Sequence, residues 1–228
     1  MICIPVAAAT QAEALQIIER SAGLADVLEL RMDLPADGKL RELIAAARSV
    51  GKAQVLVTNR PRAVSPAKEE ERISVLLEAV SLGVDFVDLE LTTAPAWREQ
   101  IRARIGQYGE RTRLIVSHHD FEKTPSRKVL LSLYHGCVGA GARVVKIVTW
   151  AHHAEDNLKV LDLIPYARRR QVPIIALCMG GQGRMSRIMA PLLGALFTFA
   201  SLERGSESAP GQLTAGETRE IWRLMEGN

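Results

Sequence analysis

Aromatic residues make up only 4% of this chain, and its three cysteines (Cys3, Cys137 and Cys178) are an odd count without metal-ligand spacing. A disulfide framework and a cysteine metal site are both unexpected, and the thiols suit a reducing cytoplasm. Long apolar runs are also missing. The longest, Met189–Ala200, is interrupted by Pro191 and Gly194 and is too short to cross a bilayer. Charge of one sign is not concentrated: the formal net charge is +3 and the basic residues are scattered. A nucleic-acid partner would need a concentrated basic face, so none is expected. The one basic run, Arg168–Arg170, falls where a helix should end, and cations suit a helix C-terminus. Met1–Val6 opens as a strand without a charged leader region, so no signal peptide and no membrane attachment are expected. No P-loop, dinucleotide fingerprint or spaced carboxylate/histidine cluster appears, and no cofactor or metal is expected.

What the chain does have is alternation. Short apolar runs are predicted as strands over 2–7, 26–33, 54–60, 86–91, 113–120, 143–150, 173–179 and 196–202. Between them lie stretches of helical periodicity. Ala14, Ile17 and Ile18 form one inward stripe, and Leu40, Leu43, Ile44 and Ala47 another. Thr10 with Glu13 and Thr214 with Glu217 read as capping boxes, Thr93 as a cap, and 153–170 as one helix. Eight strands alternating with eight helices over 228 residues predict an α/β fold of the (β/α)₈ barrel type, in one domain over 1–228. A doubly wound sheet is the rival, but it usually carries a glycine-rich turn after its first strand, and none is present.

One residue does not fit its strand. Lys146 interrupts the apolar run RVVKIVTW. It is either an edge lysine that snorkels to solvent or a desolvated amine, which favours its uncharged form and attacks carbonyls. Its surroundings favour the second reading. In a barrel the strands' C-terminal ends form the site. Polar groups collect there: Glu29, Arg31 and Asp33 on strand two, Arg60 after strand three, and Asp88 and Glu90 on strand four. Ser117, His118, His119 and Asp120 end strand five, Arg187 follows strand seven, and Ser208–Gln212 follow strand eight. Each has a dull alternative. Glu29 and Arg31 could be a structural ion pair, and Asp88 could cap a loop. Period two sends one of the adjacent histidines inward and one outward. Lysine, imidazole and guanidinium together point to an anionic carbonyl substrate.

Together these motifs resemble the type I 3-dehydroquinate dehydratases of the shikimate pathway, over essentially the whole chain. The resemblance rests on ELRMD (29–33), VTNR (57–60), SHHDF (117–121), VVKIV (144–148), MGGQGRMSR (179–187) and SAPGQ (208–212). It implies a small-molecule substrate, 3-dehydroquinate, and a homodimer. It implies Lys146 as the Schiff-base lysine, His119 as general acid/base and Arg187 as the grip on the substrate carboxylate. Glu29, Arg31, Arg60, Ser208 and Gln212 would bind substrate, the last two from a loop that closes over the site. One departure stands out. Members often carry a glutamate four residues beyond the strand-three arginine, where it orients the histidine; here the position is Val64, followed by Ser65. Glu90 is the first candidate to replace it, with Glu29 and Glu69 as alternatives. Two rivals remain open at this point: a class I aldolase acting on sugar phosphates, and a barrel retained as a binding module.

Overall fold

The computed structural model describes residues 1–35, 37–61 and 66–227. Eight parallel strands form a nearly closed barrel: β1 (Ile2–Val6), β2 (Val27–Arg31), β3 (Gln54–Thr58), β4 (Phe86–Glu90), β5 (Arg113–His119), β6 (Val144–Trp150), β7 (Ile174–Met179) and β8 (Thr198–Phe199). β1 to β7 pair in chain order, and β8 returns to β1 through Ile2↔Thr198 and Cys3↔Phe199. Between β7 and β8 the ring is joined by a 2.8 Å bond from Leu196 N–H to Ile174 C=O.

The helices among the described residues are α1 (Gln11–Arg20), α2 (Leu40–Ser49), α3 (Pro66–Ser81), α4 (Pro95–Gln107), α5 (Arg127–Gly139), α6 (Asp156–Leu161), α7 (Leu163–Arg168), α8 (Arg184–Leu192) and α9 (Ala215–Glu226). The Thr214–Glu217 capping box at α9 is complete. At α1 only half forms: the Thr10 hydroxyl accepts from Glu13 N–H, while the Glu13 carboxylate turns to Ala9 N–H. Three expectations need correction. The stretch predicted as one helix over 153–170 is two short ones, broken at Asp162; Pro165, which lacks an N–H, sits just inside the second. Thr93 does not cap α4; its hydroxyl accepts from Arg72, Ala94 is the cap residue, and Pro95 opens the first turn. Strand eight is only two residues long, because its backbone leaves the β1 ladder after Phe199.

Period two divides every strand between two apolar shells. Residues such as Leu30, Val57, Val87, Leu89, Val116, Val145 and Ile147 face outward to the helices. Cys3, Val27, Leu56, Phe86, Ile115, Val144, Ile175 and Phe197 fill the barrel interior, with every strand or its lead-in represented. This alternation positions the site. Val144 and Val148 point inward, so Lys146 between them does too. The same count turns Asp88, Glu90, Ser117 and His119 inward above Phe86 and Ile115.

Phe86 closes the lower interior. It is fully buried, meets Phe197 edge-on at 5.8 Å, and carries the Arg113 guanidinium 4.1 Å over its ring. Phe86→Ala should destabilise the fold by about 3–5 kcal/mol through lost burial and a cavity. Urea unfolding measures this, and a loss below about 1 kcal/mol would show that the interior collapses around the gap.

Candidate active site

The barrel mouth holds a cavity of about 500 Å³, within the range of small-molecule sites. Its lining includes Glu29, Arg31, Arg60, Glu90, His119, Lys146, Arg187, Ser208 and Gln212, so every sequence-predicted site residue comes together here. His118 borders it as well, although its β5 position lies level with the outward-facing Ile147 and that of His119 with the inward-facing Val148.

Lys146 is buried, at 3% exposure, which removes the snorkelling alternative. Its Nζ donates to Asp88 Oδ2 at 2.9 Å and stands 4.4 Å from the centroid of the Phe199 ring. Asp88 is therefore no loop cap. Its carboxylate also accepts both terminal nitrogens of Arg60, at 3.0 and 2.9 Å, and the Ser117 hydroxyl at 2.6 Å. Burial alone would raise the Asp88 carboxyl, but Arg60, then Lys146, outweigh it and hold the group far below the usual carboxylate range.

Arg60 reaches a second carboxylate, Glu90, at 2.7 Å. Burial disfavours its charge, yet Asp88, Glu90 and Glu29 raise the guanidinium above its ordinary value. The same Glu90 oxygen lies 2.7 Å from His119 Nδ1, an ion-pair distance without the alignment of a hydrogen bond. Burial first, then the Arg60 charge, push the imidazole down to about 4; Glu90 opposes them only in part. His119 is thus neutral at pH 7. The carboxylate beside Nδ1 favours the proton on that nitrogen, which leaves Nε2 as the basic atom. Phe121 stacks on the imidazole at 5.9 Å. Of the alternative carboxylates, Glu69 pairs with Arg72 on α3, and Glu29 accepts from the Thr58 hydroxyl at 2.7 Å. Val64 and Ser65 lie outside the described residues. The proposed Glu29–Arg31 pair is not formed; Arg31 closes on Asp33 with bonds of 3.0 and 2.8 Å.

Arg187, on α8, is 3% exposed. Among the described residues it meets no carboxylate. One terminal nitrogen reaches Pro210 C=O at 3.3 Å, and Nε has no partner. Burial lowers this guanidinium to about 10. The loop carrying Pro210 is seated on the turn after β7: Gly180 N–H donates to Pro210 C=O at 3.0 Å. Gly211, at φ +84°, is so close that a Cβ there would stand 2.2 Å from Gly180 O. Within the loop, Ser208 N–H donates to Gln212 Oε1 at 2.9 Å, and Gln212 Nε2 donates to the Ser208 hydroxyl at 3.0 Å.

A buried lysine, an imidazole with a carboxylate behind it and a guanidinium without a carboxylate partner, gathered in a cavity at a barrel mouth, have the make-up of an enzyme site. Comparison with known proteins narrows the class. The family model for Type I 3-dehydroquinase matches residues 2–228, and the chain belongs to that family. It is 31% identical to the 3-dehydroquinate dehydratase of Methanocaldococcus jannaschii over 99% of both chains. It is 32% identical to that of Desulfotalea psychrophila over 97% of this chain and 96% of the other. The crystal structure of 3-dehydroquinate dehydratase from Geobacillus kaustophilus superposes with a TM-score of 0.85 at 26% identity, covering 99% of this chain and 91% of that one.

Asp88 is the residue that sequence reasoning undervalued. The available signal was its parity with Glu90 on strand four. The depressed imidazole is directly measurable. In a pH titration followed by ¹⁵N NMR, His119 should stay neutral down to about 4, and Glu90→Gln, which removes an opposing negative charge, should lower the midpoint further. A midpoint near 6.5 would mean that water reaches the ring freely.

Proposed function

We propose that this chain dehydrates 3-dehydroquinate to 3-dehydroshikimate, the reaction of its family in the shikimate pathway, through an imine on Lys146. The observation that carries the reading is the inward, buried Nζ beside a neutral imidazole in the same cavity. Lys146 in its free-amine form attacks the C3 ketone, and loss of water gives a protonated imine. This cation draws electrons and acidifies the adjacent C2 proton, which His119 Nε2 removes as base. The resulting enamine expels the C1 hydroxyl, which takes the proton back from the imidazole and leaves as water. A second water hydrolyses the imine, releasing product and amine, so the net change is loss of one water.

The other residues are assigned by what they lack or hold. Arg187 has unused donors and takes the substrate carboxylate in a charge-assisted fork. Glu29 and Arg31 face the ring hydroxyls. Arg60 ties the lysine's partner to the histidine's partner. Ser208 and Gln212 cover the cavity and limit water near a hydrolysable intermediate. Glu90 orients His119 in this chain. Two finer readings accompany this one. Three buried, unpaired thiols fit a cytoplasmic protein. The homodimer rests on the family and on exposed Leu158 and Met185, from α6 and α8, which pack together. No helix among the described residues is long and apolar enough to cross a membrane. Sedimentation as a 25.0 kDa particle would end the dimer reading.

Borohydride reduction in the presence of 3-dehydroquinate, followed by mass spectrometry, tests the chemistry. The wild type should gain a stable adduct on Lys146, and Lys146→Ala should lose adduct and turnover together. His119→Ala should still be trapped but turn over at least about 10²-fold more slowly. Glu90→Gln should fall on the order of 10-fold or more in kcat, because a misaimed base loses its geometry. Appreciable dehydration by Lys146→Ala would remove the nucleophile assignment.

A further inference from the structure

The mechanism above uses Phe199 for nothing, yet its ring lies against the reacting nitrogen. Lys146 Nζ lies 4.4 Å from the ring centroid, well inside the ~6 Å reach of a cation–π contact. Both side chains are buried, Lys146 at 3% and Phe199 at 7%, so water screens the contact little. The ring is held in place. Phe197 meets it edge-on at 5.5 Å, and Phe197 in turn meets Phe86 at 5.8 Å. This aromatic stack rises through the barrel interior and ends at Nζ. Phe199 achieves it from a strand only two residues long, where its backbone pairs with Cys3 of β1 and the neighbouring rings pack its side chain.

The charge distribution explains why a π face is useful here. Asp88 carries one negative charge but serves two cations, with two bonds to Arg60 and one to Lys146. Its stabilisation of a positive Nζ is therefore shared. A second full anion at this point would pin the lysine as ammonium and block its attack. An aromatic face attracts a positive nitrogen with less force and accepts a neutral one without leaving an unpaired charge. Nζ must be neutral to attack and positive as the imine, so a contact of this kind favours the second state without forbidding the first.

We propose that the ring face of Phe199 stabilises the positive charge on the Lys146 imine nitrogen, acting with Asp88 as the second half of a cradle around Nζ. This role rests on the imine reading of the site. The competing role is a plain apolar floor, which leucine would supply equally well.

The test replaces the ring's charge distribution while keeping its shape. Phe199→Leu should lower kcat by about 3- to 30-fold, the range of a desolvated cation–π contact, with KM changed far less. The rate of borohydride trapping should fall in parallel, and Phe199→Tyr, which restores a π face, should recover most of both. Mono-, di- and pentafluorophenylalanine placed at position 199 by nonsense suppression should reduce trapping stepwise as the face loses electron density. That series covers the case in which Phe199→Leu folds poorly. Equal trapping with phenylalanine and pentafluorophenylalanine, or Phe199→Leu turnover within twofold of wild type, would overturn the role while leaving the imine reading intact. Failure of the wild type to trap at all would instead sink the imine reading, and this role with it.

Discussion

A single buried carboxylate, Asp88, sets the geometry of the barrel mouth. It has no exposed side-chain surface, and it binds Lys146, Arg60 and Ser117 at once. These groups come from β6, the segment after β3, and β5, so one anion draws the inner edges of several strands to a point. Removing it would leave two buried cations facing each other, which is far worse than never having built the pair. The strand register supplies the arrangement. Asp88 pairs with Ile115 and Glu90 with Ser117, while Ser117 pairs with Lys146. Inward residues on adjacent parallel strands thus lie side by side at nearly one height, and their side chains meet without any loop having to place them.

The same arrangement links Lys146 and His119. Arg60 holds Asp88 with two bonds and Glu90 with one, and Glu90 faces His119. Were the lysine amine neutral, Asp88 would keep Arg60 as its counter-charge, so the carboxylate would not be stranded. On the other side, the Arg60 charge and burial keep the imidazole neutral, while Glu90 turns that neutral ring toward a defined tautomer. A guanidinium suits this place because it carries donors in a fixed fork and stays charged whatever its neighbours do.

Much of this was legible in the chain. Eight alternations of apolar run and helical period specify a barrel, and a lysine inside a β-branched run marks the place where burial and charge conflict. The inward side of Lys146 follows from counting by twos. What the sequence could not show was pairing between strands distant in the chain. Glu29 and Arg31 share a face and invited an ion pair, but neighbours two apart on a strand diverge with its twist, and Arg31 reaches the turn at Asp33 instead. Asp88 and Lys146 are 58 residues apart, so their contact is visible only once the register is known. Strand eight and the helix over 153–170 failed for a local reason: apolar content alone does not say where a ladder ends or where a proline resets a helix.

Pairing the cations of the mouth with their carboxylates singles out one side chain. Arg31 has Asp33, Lys146 has Asp88, and Arg60 has both Asp88 and Glu90. Arg187 is as buried as Lys146, and among the described residues only a backbone carbonyl answers it, with Nε left bare. Burial without an anion is what lowers its guanidinium to about 10, whereas Arg60, buried between carboxylates, is shifted the other way. Such a side chain costs the fold several kcal/mol of desolvation unless a ligand completes it. A carboxylate bound there would gain the full strength of a partly desolvated pair, and would be placed by the seated 208–212 loop in the cavity that also holds Lys146 and His119. Arg187 is therefore the guanidinium of the mouth that still lacks a carboxylate among the described residues, and a substrate carboxylate would supply one.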